Sequence, residues 1–465
     1  MNKALPPEVE KRIEEAAEQF GQALRELYRW SQEGEEGQEP PTIAEIEEKI
    51  RAWIQRIGED GQGLIVGEME WHRRKGKSCC PRCGEAVYWQ RYEPKDYVTT
   101  LGRLKIERAY YHHAACHCGW VPLDEQLALG RGELSPLVQE TVSYLGAYMP
   151  FEQAQDYLRR YLGIRISHDT VNNTTVGIGQ ELHAEQEQAI AAAWSQEQGP
   201  TQAVAEPPPE EYISADGIKH LLPDGQGKEL KVAAIYQTEK VRGEKDEVEV
   251  HAVDIAYVVA REGEELAQAA YLVAAQRGVE QAQQRIVLGD GANWIWNQVA
   301  RMFHLPDCVE IVDFYHASEY LWRAGEAVFG AASPPTQAWA EEACHALKHE
   351  GPMPVLTRLR ALATQRATVP EPVSDALRYF ENQSPRMNYP LYRQKELQIG
   401  SGSAESAVKQ VVGVRLNQAG MRWNSDHAES VAHVRAAILS RRWSSFWSGF
   451  QPTARHYQRK QLSSA

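Results

Sequence analysis

The chain of 465 residues has only seven cysteines, an odd number, and five of them fall between Cys79 and Cys118, a pattern that argues against a disulfide-stapled secreted scaffold. It has no apolar run near the ~20 residues that cross a bilayer, so no membrane partner is expected. Residues 1–7 lack the apolar core of a signal peptide, and a cytoplasmic location is expected. Positive charge is not in excess either: 50 Lys and Arg against 64 Asp and Glu leave a net charge of −14, which excludes a protein that is basic all over. Phosphate-binding fingerprints are missing too. Gly400-x-Gly402 is followed neither by the third glycine of a dinucleotide site nor by the Gly-Lys-Ser/Thr of a P-loop.

What remains is ordinary for a globular protein, 43% hydrophobic and 25% charged, and the length suits two to four domains of about 100–200 residues each. The charge is unevenly spread. Residues 1–70 hold 8 Lys/Arg against 17 Asp/Glu (−9), residues 71–110 hold 10 against 4 (+6), and residues 396–465 hold 9 against 4 (+5). Two basic segments in an acidic chain fit localised phosphate contacts, although solvated faces carry the same charge. Ile13, Ala16, Phe20, Ala23, Leu24 and Leu27 recur at helical spacing and predict an amphipathic helix over residues 8–30. Residues 34–41 break it, and Thr42 caps a second helix through Ile54. This N-terminal helical region, residues 1–70, carries no chemistry and reads as a hairpin that docks on the body or self-associates.

Residues 71–130 read as a zinc-ribbon-like domain. Cys80-Pro81-Arg82-Cys83-Gly84 is one knuckle, two strand-like runs follow over 86–92 and 102–111, and residues 112–119 supply a second knuckle. Structural Zn²⁺ takes four thiolate or imidazole ligands, and the expected set is Cys80, Cys83, His113 and Cys116. Cys79 and Cys118 are further thiols, and Cys116-x-Cys118 is an alternative to His113-x-x-Cys116. A redox role for the Cys-x-x-Cys has no βαβ pattern around it. Residues 131–185 read as a helical domain laid out like a helix-turn-helix: a helix over 150–158, a turn over 162–166 and a Ser167-capped helix over 167–175. Asn172 and Asn173 would face bases or phosphates there, while a plain helical hairpin has the same pattern. A polar helix is expected to lead into the proline-rich stretch Pro200–Pro209, ending Glu206-Pro207-Pro208-Pro209-Glu210, and residues 186–210 read as a linker.

From residue 211 the pattern turns to strands. Residues 212–217 predict a strand ending in Asp216-Gly217, 230–238 and 248–259 predict two partners, 264–284 a helix, and 285–291 an apolar strand ending in Asp290-Gly291. After another helix, residues 308–316 predict a fifth strand. Three strands, helix, strand, helix, strand is the order of the RNase H-like α/β fold, and acids at its strand ends face the crevice where ligands sit. Residues 211–316 are thus the first part of such a core, 317–395 an all-α insertion, 396–450 the core's C-terminal helices, and 451–465 a basic tail. Ser401 or Ser403 is expected to cap the helix that carries Glu405, with Lys409 one turn further along. Asp216, Asp290 and Glu405 are the catalytic candidates. Their hard oxygens suit two Mg²⁺ ions, with Mn²⁺ able to substitute, and a two-ion site promotes in-line displacement at a phosphodiester. The glycine after each aspartate is expected to let a nucleic-acid backbone approach. Asp313 competes for a place and is given a supporting role.

Taken together, the Cys knuckles followed by Pro122-Leu123-Asp124, then Ser214-Ala215-Asp216-Gly217, residues 288–296, residues 312–317, Gly400-Ser401-Gly402-Ser403-Ala404-Glu405 and Gly420-Met421-Arg422-Trp423, resemble the ISKra family of bacterial insertion-sequence transposases over about residues 70–450. The resemblance implies a DDE transposase whose triad falls on Asp216, Asp290 and Glu405, the residues already chosen. His113 stands where the family's second knuckle usually opens with Cys, with Cys118 as the substitute ligand. The expected fold class is multidomain α+β, an RNase H-like core with an all-α insertion preceded by a zinc ribbon and a helix-turn-helix. The expected activity is Mg²⁺-dependent cutting and strand transfer of insertion-sequence DNA. The expected partners are the double-stranded DNA of the terminal repeats and of the target, bound by a homodimer or higher oligomer, with Lys409, Arg415, Arg422 and Trp423 at the DNA. Two rivals stand beside it: a catalytically inactive repressor of the same fold, and a metal-dependent nuclease without strand transfer.

Overall fold

The computed structural model describes residues 5–33, 41–69, 71–129, 132–195, 204–242, 248–303, 308–364, 368–450 and 457–458. The mixed α+β chain divides into two compact units, one of residues 1–145, 151–174 and 446–465, the other of residues 146–150 and 175–445. No helix among the described residues is long and apolar enough to cross a membrane.

The first unit opens with α1 (Pro7–Glu33) and α2 (Ile43–Gly67), which continues well past Ile54. Thr42 and Glu45 form the reciprocal capping box that starts α2, the Thr42 N–H donating to the Glu45 carboxylate at 2.7 Å. Phe20 and Trp53 join the two helices, ring centroids 5.7 Å apart. An antiparallel sheet follows in the order β1 (Lys77–Cys79), β2 (Ala86–Thr99), β3 (Gly102–His113), β4 (Cys118–Trp120), with the short strand Tyr457–Gln458 beside β4. Then come α3 (Pro122–Gln126), α4 (Pro136–Tyr148), α5 (Phe151–Leu162) and α6 (His168–Trp194). Tyr97, Leu104, Ile106 and Leu123 make the core under β2 and β3, beside a buried Arg108–Asp124 pair at 2.7 Å.

A helix, a turn and a Ser-capped helix follow one another as expected over residues 150–175: α5, a turn through Gly163 at φ 68°, and α6, where Ser167 Oγ accepts from the Thr170 N–H at 3.1 Å. The second helix is far longer than residues 167–175. It runs unbroken to Trp194 and takes up the first part of the stretch read as a linker, because residues 186–194 contain no proline or glycine to stop it. Part of that linker, residues 196–203, lies outside the described residues.

The second unit is organised around a sheet in the order β7-β6-β5-β8-β9: β5 (Glu210–Leu221), β6 (Gly227–Arg242), β7 (Val248–Ala260), β8 (Gln284–Gly289) and β9 (Cys308–Val312). The pairs β5–β6 and β6–β7 are antiparallel, while β5–β8 and β8–β9 are parallel. Residues 212–215 of central β5 are all buried, which is why they read as a continuous apolar run rather than an alternating one. Helix α7 (Gly263–Gln276) makes the crossover to β8. After β9 the chain turns all-helical in α8 (Phe314–Phe329), α9 (Pro334–Glu350), α10 (Pro352–Thr364), α11 (Glu371–Gln383) and α12 (Tyr389–Gln394). Helices α13 (Gly402–Val408), α14 (Val414–Leu416), α15 (Ser425–Leu439) and α16 (Trp443–Gly449) close the chain. Two π-helical stretches, Ile295–Ala300 and Lys409–Gly413, follow the Asp290 turn and the Glu405 helix.

Candidate functional site

Strands β5, β8 and β9 share a register that sets Ser214 opposite Leu288 and Leu288 opposite Ile311. Asp216, Asp290 and Asp313 each lie two residues beyond these matched positions, Asp290 and Asp313 just past the C-terminal ends of β8 and β9. Asp216 and Asp290 are close enough for the Asp290 charge to act on the Asp216 carboxyl. The expectation that the first strand stops at Asp216 is corrected here. Strand β5 continues to Leu221 with Asp216 opposite Val232, because its antiparallel edge stays paired to β6. What stops, at Ser214, is the pairing with β8.

Asp216 is half-buried, and its Oδ1 accepts from the Gly217 N–H at 2.6 Å. Burial raises its carboxyl, the Asp290 charge adds to that, and the Gly217 amide and His316 oppose it; the net result is a pKa of about 6. A carboxyl displaced in this way by burial and a second carboxylate marks the position as a candidate functional group. Asp290 Oδ1 accepts from the Ala292 N–H at 2.8 Å. The backbone of this turn is held from α11: Tyr379 Oη donates to the Asp290 carbonyl at 2.8 Å, and Gln383 Nε2 to the Gly291 carbonyl at 2.9 Å. Gly291 has φ 103°, and a Cβ there would sit 2.7 Å from the Tyr379 ring. A Cβ on Gly217 would sit 2.6 Å from the Glu229 carboxylate. The space beside each glycine is therefore taken by a side chain of the protein, which corrects the expectation that it admits a nucleic-acid backbone.

Asp313 is buried and fully engaged. Its Oδ1 accepts from the His316 N–H at 2.7 Å and caps α8, while Oδ2 accepts from the Ser401 N–H. The Phe314 N–H donates to the Ile399 carbonyl at 2.9 Å, so the end of β9 grips the loop that launches α13. Gln398 fixes the same loop on the sheet, its N–H donating to Tyr212 Oη at 3.2 Å and its Oε1 accepting from Tyr236 Oη at 3.0 Å. Helix α13 packs on β5 and β6 and carries Glu405, which is exposed. Ser401 occupies the N-cap position without a side-chain cap bond, and Ser403 Oγ accepts from Gln398 Nε2 at 3.3 Å; neither hydroxyl caps the helix as expected, because the loop is already tied through the Ser401 N–H. Asp216, Asp290 and Glu405 are not among the groups whose ligand atoms all lie within 4.8 Å of one another.

Sequence reasoning missed Tyr320 and Tyr379, which stack at 4.1 Å beside His316. They come from α8 and α11, and Tyr379 is 89 residues from the Asp290 carbonyl that it holds. No local signal marks it.

The residues expected at DNA divide. Lys409, Arg422 and Asn173 are exposed, and Asn172 is half-buried. Arg415 and Trp423 are in the core, a correction. Arg415 Nε donates to the Gly146 carbonyl at 2.9 Å, its guanidinium lies 4.8 Å from the Trp423 ring, and Trp423 Nε1 donates to the Leu416 carbonyl at 3.0 Å. Burial lowers the Arg415 pKa to about 10.

In the first unit the ligand atoms of Cys80, Cys83, His113 and Cys116 all lie within 4.8 Å of one another, and buried Cys118 is outside that group. Cys83 Sγ is 3.4 Å from His113 Nδ1, and His113 Nε2 is 3.3 Å from Glu85, the kind of outer carboxylate that orients an imidazole ligand. Gly84, at φ 76°, gives its N–H to the Cys80 carbonyl at 2.8 Å to close the knuckle. Burial raises the Cys80 thiol, but the N–H groups of Arg82 and Cys83, with His113, outweigh it and bring the pKa down to about 6. Hydrogen bonding to Cys83, then burial, pushes Cys116 up to about 11. Three thiols and an imidazole so crowded fit a soft divalent ion.

Among known proteins, the model of an uncharacterised protein family, UPF0236, matches residues 43–443. No curated protein matches the chain.

Proposed function

The chain belongs to that uncharacterised family, and we propose that it is a DDE transposase with an RNase H-like core. The observation that carries this reading is the parallel pairing of β5 and β8 up to Ser214 and Leu288, two residues before Asp216 and Asp290, together with the Asp290 charge that acts on Asp216. The sheet order β7-β6-β5-β8-β9, antiparallel on one side and parallel on the other, supports the RNase H-like assignment.

The residues fit Mg²⁺. Burial and the Asp290 charge raise the Asp216 pKa, and a hard divalent cation relieves that repulsion. Asp216, Asp290 and Glu405 would hold two ions, with Mn²⁺ able to replace them. Bound there, the ions would supply activation of an attacking water or 3′-hydroxyl and neutralisation of the leaving oxygen. The chain's own residues do the positioning. Tyr379 and Gln383 hold the Asp290 turn, and Asp313 anchors the loop ahead of Glu405. Exposed Lys409 and Arg422 meet the DNA backbone. Asn172 and Asn173 of the helix-turn-helix, with a Zn²⁺ ribbon on Cys80, Cys83, His113 and Cys116, recognise the element's terminal repeats. Joining two DNA ends to a target calls for a homodimer or larger assembly.

The test is incubation of the purified chain with a labelled duplex carrying its element's ends, in Mg²⁺ or EDTA, beside Asp290→Ala and Glu405→Ala. Metal-dependent nicking and joined products, lost in both variants while DNA binding survives, are expected. Nicking without joining identifies a nuclease. Specific binding with no cleavage in Mg²⁺ or Mn²⁺ identifies a repressor.

A further inference from the structure

Helices α6, α7 and α15 bring a second set of ligand-bearing side chains together, and it includes none of Asp216, Asp290 and Asp313. His183 and Glu187 lie one turn apart on α6, Glu429 and His433 one turn apart on α15, and Glu265 lies on α7. A four-residue spacing puts each pair on one helix face. The ligand atoms of His183, Glu429 and His433 all lie within 4.8 Å of one another. His183 Nε2 is 2.9 Å from Glu265 Oε1 and 3.9 Å from Glu187 Oε1. The two imidazoles stack with centroids 4.6 Å apart.

His433 is the independent sign of a ligand. It is only 5% exposed, and its Nε2 is buried with no hydrogen-bond partner. A buried polar nitrogen left unpaired is costly, by about 1–3 kcal/mol, and calls for an explanation. The surroundings resemble the outer shell of a metal site. Arg261 Nη2 holds Glu429 Oε2 at 2.7 Å, and Gln186 Nε2 donates to Glu265 Oε1 at 3.3 Å, so the carboxylates that would face an ion are already oriented.

We propose that His183, Glu429 and His433 form a binding site for a divalent transition-metal ion of the Zn²⁺ type, with Glu265, which lies outside that close group and now bonds His183 Nε2, turning in as the fourth ligand. Two imidazoles and two carboxylates are a donor set that suits this ion, whose bonds are about 2.0–2.2 Å long. The site joins α6 and α7 to α15. Its affinity is lower than that of a thiolate cluster, because the Arg261 charge at Glu429 opposes a cation.

The test is metal content and titration of the full-length apo chain with Zn²⁺ and Co²⁺, beside His433→Ala, His183→Ala and Glu265→Gln. Co²⁺ at a cysteine cluster gives a thiolate charge-transfer band, and Co²⁺ at this site does not, so the two are counted separately. Each histidine variant is expected to lose about one equivalent of Zn²⁺, and Glu265→Gln to weaken that equivalent by more than about 10-fold, with any thiolate band unchanged. The readout is the difference between chain and variant, so it holds whether or not the cysteine cluster or the transposase reading survives. If His433→Ala misfolds by circular dichroism, half-buried His183 carries the test. Equal Zn²⁺ stoichiometry in the chain and the folded histidine variants overturns the proposal.

Discussion

Asp216 shows how a buried carboxyl makes stability depend on pH. Its folded pKa of about 6 lies above the ordinary carboxylate value, so the folded state holds the proton more tightly than the unfolded state does. The stability linked to this group is therefore fully present below about pH 4 and is lost as pH rises through about 6. Asp216→Asn, uncharged throughout, is expected to melt later than the parent at pH 8 in metal-free buffer. The gain is about 1–2 kcal/mol once solvent screening of a half-buried group is allowed for, and it vanishes near pH 4. Thermal melts at the two pH values check it. Gly291 makes the opposite case. Gly291→Ala meets both φ 103° and the Tyr379 ring at 2.7 Å, and is expected to destabilise the fold by about 1–3 kcal/mol in urea denaturation. Adding Tyr379→Ala removes the steric part, so the double variant should be less destabilised than the sum of the singles.

At the scale of elements, the segment from Glu405 to Trp423 is held by arginines that look basic and act as core. The π-helical stretch Lys409–Gly413 departs from the α-helical bonding pattern, and Arg435 Nε meets its carbonyls, 3.1 Å from Gln410 and 3.0 Å from Val411. Arg435 Nη1 also donates to the Ala147 carbonyl at 2.7 Å. Arg435→Met leaves these acceptors unpaired and is expected to lower stability by about 2–4 kcal/mol, read as a lower urea midpoint. The proposed DNA contacts separate from this framework. Lys409→Ala and Arg422→Ala should each reduce the salt slope of DNA binding by about one in anisotropy titrations, whereas Arg415→Met, altering a buried side chain, should leave the slope unchanged in the folded fraction.

For the molecule as a whole, the cysteine cluster and the three aspartates belong to different compact units, and the chemistry of one should be separable from the other. Cys83→Ser is expected to loosen the first unit selectively. Hydrogen exchange should rise across residues 86–113, the strands that the cluster joins, while residues 210–221 and 284–289 keep their protection. Equal loss of protection in both sets of strands would contradict separate stabilisation.

What the sequence alone determined was local. The Thr42–Glu45 box, the Cys-x-x-Cys-Gly knuckle, the succession of strands and helices and the helical stretch after β9 depend on neighbours a few residues apart, and periodicity and cap chemistry expose them. Spacing also singled out Cys80, Cys83, His113 and Cys116, the four side chains that cluster in the fold, since each knuckle is a short turn. The tertiary structure decided what depends on distant partners. A strand's end is set by which neighbour pairs with it, so Asp216 could not be located within β5 until β6 and β8 were in register. Tyr379 gained its position from a turn 89 residues away, and Arg415 its burial from a carbonyl 269 residues away. Burial and register arise when remote segments meet in the folded chain. A basic residue thus reads the same in sequence whether it reaches solvent or holds the core.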